Sequence, residues 1–210
     1  GRYIPPRAFG MTASEIAAEW ISEFNNGIDG TSVRPGFIKL AVNAGELRPV
    51  DRKLLEAAAL THLATGLVIA IHTRDNVAAA EAQLDILHDH GVAPSAWIWT
   101  HAQHAAASDS LIAAARRGAW ISLDGLKTEP AQNETLIAHL LALREAGLLK
   151  RVLLSHDGNG FPSGGPIRPF DTLATSVLPQ LRALGFSETE IRQLTVANPA
   201  DAFTLSLRRI

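Results

Sequence analysis

The sequence predicts an α/β fold built from consecutive strand–helix units that feed a parallel sheet. Three observations predict it. Short apolar runs recur without polar alternation, the pattern of strands covered on both faces. Stretches rich in Ala, Leu and Glu separate them and close on glycine, which ends a helix in the left-handed conformation without strain. No hairpin signal joins two neighbouring runs, so antiparallel pairing has no local support.

The elements follow in order. Thr12 and Glu15 form a capping box that opens a helix over 12–26, closed by Gly27. The first strand is read over 37–42, with a helix over 50–65 that ends at Gly66. The second strand, 67–71, leads to a helix over 76–90 and Gly91. The third, 97–100, leads to 108–117 and Gly118; the fourth, 119–123, leads to 131–146 and Gly147. The fifth, 151–155, precedes a helix over 170–184 that closes on Gly185. A second capping box, Ser187 with Glu190, opens the last helix over 188–197. The strand starts lie 22 to 32 residues apart, the length of a strand, a helix and two short loops.

Composition narrows the function classes. The 210 residues are 47% hydrophobic and 19% charged, enough for one core, and a single domain over 1–210 is expected. Nineteen basic and 21 acidic side chains leave a net charge of −2, which argues against a nucleic-acid partner. The absence of Cys excludes disulfides, thiolate metal sites and a Cys nucleophile. No apolar run approaches the roughly 20 residues that cross a bilayer, so no membrane partner is expected. The chain opens on Gly1 without a signal-peptide pattern, and a cytoplasmic location is the expectation adopted.

The chemistry lies at the strand ends. His72, Arg74 and Asp75 follow the second strand; His101, Gln103 and His104 follow the third. Asp124 follows the fourth, and His156 and Asp157 the fifth. Sites in doubly wound sheets and in (β/α)8 barrels both form outside the carboxyl ends of parallel strands. No Gly-x-Gly-x-x-Gly follows a strand, so a dinucleotide fold lacks positive support. Taken singly, Asp75 and Asp124 read as helix caps, and the helical His62, His88, His90 and His139 as solvated faces. Lys39, between Ile38 and Leu40, faces desolvation, which favours a neutral amine. Such an amine can form a Schiff base with a carbonyl substrate, as in a lyase. Alternatively it can take up carbon dioxide and become a carbamate that bridges two divalent ions. His72, His101 and Asp157 would suit such ions, and only this second chemistry accounts for all four residues.

From Tyr3 to Phe203 the sequence resembles the phosphotriesterase-like family of the amidohydrolase superfamily. The resemblance rests on segments 36–39, 64–73, 100–101, 154–157 and 195–203, in that order. It implies a (β/α)8 TIM barrel of which this chain is expected to carry only strands 4–8. It implies a binuclear centre with two divalent ions, zinc being expected. Carboxylated Lys39 would bridge them, His72 and His101 would hold the more exposed ion, and Asp157 the more buried one. An activated hydroxide would hydrolyse an ester bond, with Asp157 accepting the proton. Family members are often homodimers, and the expected partner is a small-molecule ester.

The chain departs from the family pattern in three places. The family's first-strand His-x-His pair is missing, and His88-Asp89-His90 has that spacing only at a helix end. An acidic relay after the metal-binding His is replaced by Ala102, Gln103 and His104. Gly125 stands where relay-bearing members have His. The last two departures favour a lactone or carboxylic ester over an organophosphate triester as substrate. The missing pair also motivates a third expectation, a truncated barrel without catalysis. The loop over 158–169 is expected to cover the substrate, with Arg74, Phe161 and Arg168 as contacts.

Overall fold

The computed structural model describes residues 4–158, 165 and 169–210. All five expected strands form: β1 (Ile38–Ala41), β2 (Ile69–His72), β3 (Trp97–Thr100), β4 (Trp120–Leu123) and β5 (Val152–Leu154). They follow one another in the sheet in chain order. β1 runs parallel to β2, with Ile38 opposite Ile69 and Ala41 opposite His72. β4 runs parallel to β5, with Ile121 opposite Val152. The α-helices among the described residues are α1 (Arg7–Gly10), α2 (Ala13–Asn26), α3 (Pro49–Thr65), α4 (Val77–Asp89), α5 (Ser108–Arg117), α6 (Glu134–Glu145), α7 (Leu178–Ala183), α8 (Glu188–Arg192) and α9 (Asn198–Phe203).

The last two expected helices are built differently from a continuous α-helix. Leu173–Val177 and Gln193–Ala197 form wide π-helical turns that lead into α7 and α9. Each wide turn is followed by a proline, Pro179 or Pro199. Proline has no N–H to give the carbonyl four residues back, so the bonding pattern widens by one residue. The helix expected over 131–146 starts with a 3-10 turn at Pro130–Asn133, with proline at a first-turn position where no intrahelical N–H bond is lost.

The chain divides into two compact units, Gly1–Ile98 with Phe203–Ile210, and Trp99–Ala202. In the first unit, α2 starts with the expected box: Thr12 Oγ1 accepts from Glu15 N–H while the Glu15 carboxylate accepts from Thr12 N–H at 2.7 Å. Ile16 and Ala17 of α2 pack on Ala57 of α3, flanked by Trp20 and Leu54. β2 is apolar on both sides, with Ile69 and Ile71 almost fully excluded from water. The C-terminal tail is tied to the ends of α3 and α4. Ser206 N–H reaches Gly66 O at 3.2 Å, Ala93 N–H reaches Arg208 O at 2.9 Å, and Ile210 N–H reaches Gly91 O at 3.2 Å. Gly66 has a φ of 76°, and a Cβ there would lie 2.7 Å from Ser206 N, so both conformation and space require glycine.

His62 and His139 overturn the reading of solvated helical histidines: both are buried. His62 lies in the last turn of α3, turned toward the tail of its own unit. Its Nδ1–H donates to Leu67 O at 2.8 Å and its Nε2 accepts Arg208 N–H at 3.0 Å. His139 belongs to the second unit. It donates from Nε2 to Ala105 O at 3.1 Å and accepts at Nδ1 from Ser108 Oγ at 2.8 Å. Burial holds both imidazoles below their ordinary pKa. His88 remains exposed, as expected.

The second unit is centred on Trp99, Leu111, Trp120, Ile121, Leu140 and Val152, all with almost no exposure. Asn198 closes its C-terminal part. The carboxamide donates to Leu149 O at 2.9 Å and Val152 O at 2.7 Å, and accepts from Gln193 Nε2. It thereby fixes the start of β5 to the junction of the second wide turn and α9. The second capping box also forms, Ser187 with Glu190. Arg144 on α6 grips the same Glu190 at both carboxylate oxygens, 2.5 and 2.8 Å, and brings its pKa down to about 2.

Candidate functional site

Lys39 and His72 belong to the first unit. Lys39 sits on β1, whose burial alternates, and its side chain is exposed. Its ammonium donates to Leu40 O at 3.1 Å. The desolvation expected from its apolar neighbours in sequence is therefore absent. Ile38 takes the covered side of the strand, and Lys39 lies on the other, more exposed side. A cavity of about 600 Å3 opens beside it, lined by Lys39, Ala41, Trp20, Met11 and Arg48 among others. This removes the desolvation on which both the Schiff-base and the carbamate readings of Lys39 drew. His72 is the last residue of β2 and is half-buried.

Arg74 follows in a left-handed conformation, φ 54°, and is exposed. Asp75 does not cap α4. Asn76 does, accepting Ala79 N–H at 3.1 Å, while its Nδ2 donates to Asn43 O and Gly45 O in the loop after β1. A cap one residue later leaves the 73–75 segment as a turn rather than a helix start.

The second unit carries His101, Asp124 and Asp157. His101 and Asp157 each stand just past a strand with positive φ, 61° and 49°. Left-handed backbone is uncommon in residues other than Gly, Asn and Asp, and for a histidine it costs energy that surrounding contacts must offset. For His101 the contacts are plain. Its backbone N–H donates to Asp124 Oδ2 at 2.9 Å, and its ring Nδ1 donates to Asp124 Oδ1 at 2.6 Å. Ser122 Oγ donates to Oδ2 at 2.8 Å, and Gln103 Nε2 to Oδ1 at 3.2 Å. Asp124 is nearly buried. Burial alone would raise its pKa, but the His101 ring and backbone N–H and the Ser122 hydroxyl outweigh that and lower it. The carboxylate is thus ionised, and His101 carries its proton on Nδ1. In a neutral ring with that hydrogen bond the second nitrogen, Nε2, is the acceptor.

Sequence reasoning did not find this pairing. Asp124 was read as a cap, yet the next helical turn begins only at Pro130. An acidic residue that ends an apolar strand with no helix near enough to cap was the available signal. Its counterpart is His101, at the same place after the preceding strand.

The residues fit a metal in their chemistry. A histidine held by a carboxylate at one nitrogen is the usual arrangement of a metal-ligating imidazole. Thr100 Oγ1, next to His101, is buried without a hydrogen-bond partner among the described residues. Such a group costs about 1–3 kcal/mol unless something polar meets it. No group of three or more His, Cys, Asp or Glu side chains poised to hold an ion occurs among the described residues. Phe161 and Arg168, the expected substrate contacts, lie outside the described residues, as does most of the 158–169 loop. Before that loop, His156 meets Phe170 edge to face at 5.3 Å, and a Cβ at Gly158 would collide with the His156 ring.

Comparison with known proteins agrees with the motif reading. Residues 2–203 match the model of the phosphotriesterase family. A phosphotriesterase homology protein of Escherichia coli is 33% identical over 207 residues, covering 96% of this chain and 70% of that protein. Its crystal structure, with phosphate in the active site, superposes with a TM-score of 0.88 at 32% identity, over 97% of this chain and 71% of that one. An aryldialkylphosphatase of Saccharolobus solfataricus is 26% identical, over 90% of this chain and 64% of that protein. A lactonase from Listeria monocytogenes shares the fold, with a TM-score of 0.84 at 24% identity, covering 95% of this chain and 63% of that one. The chain thus spans roughly two thirds of the length of these proteins. No helix among the described residues is long and apolar enough to cross a membrane.

Proposed function

The chain belongs to the phosphotriesterase family, and from that premise we propose that it is a metal-dependent hydrolase of ester bonds, acting on a lactone or carboxylic ester. The observation that carries the reading is the Asp124–His101 pair, which holds an imidazole at a strand end by Nδ1 and would leave Nε2 to ligate. Family likeness supports the rest of the ligand set. Lys39, as a carbamate, would bridge two divalent ions, zinc being the natural choice for imidazole and carboxylate donors. His72 and His101 would hold one ion and Asp157 the other. Bound there, the ions would supply Lewis acidity at the scissile carbonyl and a nucleophile competent at neutral pH.

The protein's own residues have definable tasks in this scheme. Asp124 holds the Nδ1 side of His101 and stops its ring from rotating. Asp157, exposed enough to exchange with solvent, receives the proton released when the nucleophile adds and passes it to the leaving oxygen. Arg74, in the turn after β2, is placed to meet an anionic or polar part of the substrate. The phosphate seen in the active site of the E. coli relative and the activity named for the S. solfataricus one keep phosphotriesters as the second reading. Gln103 and Gly125 weigh against it, because neither can carry a proton where a relay would pass.

The test is metal analysis of the purified protein, followed by hydrolysis assays on a lactone, an aryl carboxylic ester and an aryl phosphotriester. Activity lost on chelation and restored by zinc, highest on the lactone or carboxylic ester, is the expected result. Undiminished hydrolysis in metal-free protein would sink the metal reading. Preference for the phosphotriester would replace the substrate class.

A further inference from the structure

Gln103 makes two hydrogen bonds of opposite sense to one residue. Its Nε2 donates to the Asp124 carboxylate at 3.2 Å, and its Oε1 accepts the Asp124 backbone N–H at 3.1 Å. A carboxamide offers a donor and an acceptor on one planar group without carrying a charge. A glutamate at this position would bring a second anion against Oδ1, and an alanine would leave the Asp124 N–H unmet. The amide also occupies a defined space. A Cβ built on Gly125 would fall 2.5 Å from Gln103 Nε2, 3.1 Å from Cδ and 3.3 Å from Cγ. The Gly125 backbone is not in the left-handed region, so the requirement there is for space rather than conformation. The far end of a glutamine could swing aside from a methyl group, but only by breaking both bonds to Asp124.

We propose that Gln103 and Gly125 act together as a positioning device: the missing side chain at 125 admits the Gln103 amide, which clamps Asp124 and through it fixes the Nδ1–H form of His101. Two departures from the family pattern, an amide after the strand-end histidine and a glycine after the strand-end aspartate, then become one feature. Neither group can take up a proton near neutral pH, so this side of His101 is a rigid support and not a proton path. The device explains how His101 tolerates its positive φ. Asp124 is itself held at carboxylate and backbone, so it can in turn hold His101 at ring and backbone.

Its functional weight rests on the reading of His101 as a metal ligand, and the experiment separates the two. Gln103→Ala, Gly125→Ala and the double variant are compared with the parent protein. The His101 ring is read by long-range proton–nitrogen NMR after chelation. The parent is expected to show one tautomer, protonated at Nδ1, and both single variants a mixture. Zinc affinity, measured by competition with a chromophoric chelator, is expected to fall about tenfold in each, the lower range for loss of a group supporting a ligand. Gly125→Ala is expected to cost affinity in the parent and almost none when Gln103 is already Ala, because the methyl group then meets nothing. An unchanged His101 tautomer in Gln103→Ala, or an equal cost of Gly125→Ala in both backgrounds, overturns the proposal. If the tautomer shifts as described while zinc leaves the His101 resonances untouched, the positioning role stands and the metal reading fails.

Discussion

The Asp124 carboxylate takes both the ring Nδ1–H and the backbone N–H of His101, at 2.6 and 2.9 Å, and so fixes the orientation of the imidazole. Asp124→Asn keeps the shape but turns one acceptor into a donor, which would force the proton of His101 onto Nε2. We expect zinc affinity or ester hydrolysis to fall by 10- to 100-fold, with the melting temperature little changed. Competition titration and steady-state kinetics check this. Activity equal to that of the parent would show that His101 does not ligate through Nε2.

Lys39 is exposed, so burial does not favour the neutral amine that carboxylation needs. Carboxylation is then expected to depend on dissolved carbon dioxide and on metal together. Restoring activity to chelated protein should be faster with zinc and bicarbonate than with zinc in degassed buffer. Lys39→Met should abolish the bicarbonate effect. Equal reactivation rates in the two buffers would remove the carbamate.

Much of this was written in the residues, and what escaped has physical causes. β2 and β4 are legible because parallel strands buried on both faces leave nearly continuous apolar runs, as 67–71 and 119–123 do. Capping boxes at Thr12 and Ser187 are legible because both partners lie within four residues. Lys39 was misjudged because sequence neighbours in a strand point to opposite faces, so Ile38 says nothing about the cover over Lys39. His62 and His139 were misjudged because their partners, Arg208 and Ala105, lie 146 and 34 residues away in sequence. A separation of 21 residues likewise hides the Gln103–Asp124 clamp.

Asn198 joins Leu149, Val152 and Gln193 through one buried carboxamide. Asn198→Ala leaves two carbonyl groups and an amide without their partner in a site closed to water. A loss of about 2–4 kcal/mol is expected, because each buried polar group left unmet costs about 1–3 kcal/mol and some will relax. Urea unfolding monitored by Trp fluorescence measures it. A loss under about 0.5 kcal/mol, the size of an ordinary surface change, would show that water replaces the amide.

The buried histidines make stability depend on pH with a defined sign. Both His62 and His139 are neutral in the folded chain, with pKa values below the ordinary 6.5, because burial penalises the cation. In the unfolded chain they titrate near 6.5. Above that pH neither state binds the proton and their contribution is complete. As pH falls below 6.5 the unfolded chain gains protons that the folded chain refuses, so stability is lost. Each histidine contributes up to about 1.4 kcal/mol per pH unit in that window. His62→Gln removes one of the two groups. Its stability is expected to start lower, since the Leu67 and Arg208 contacts are no longer both satisfied, and then to fall less steeply than the parent between pH 6.5 and 5.5. Urea midpoints across that range decide the matter: parallel slopes for parent and variant would assign the acid sensitivity to other groups.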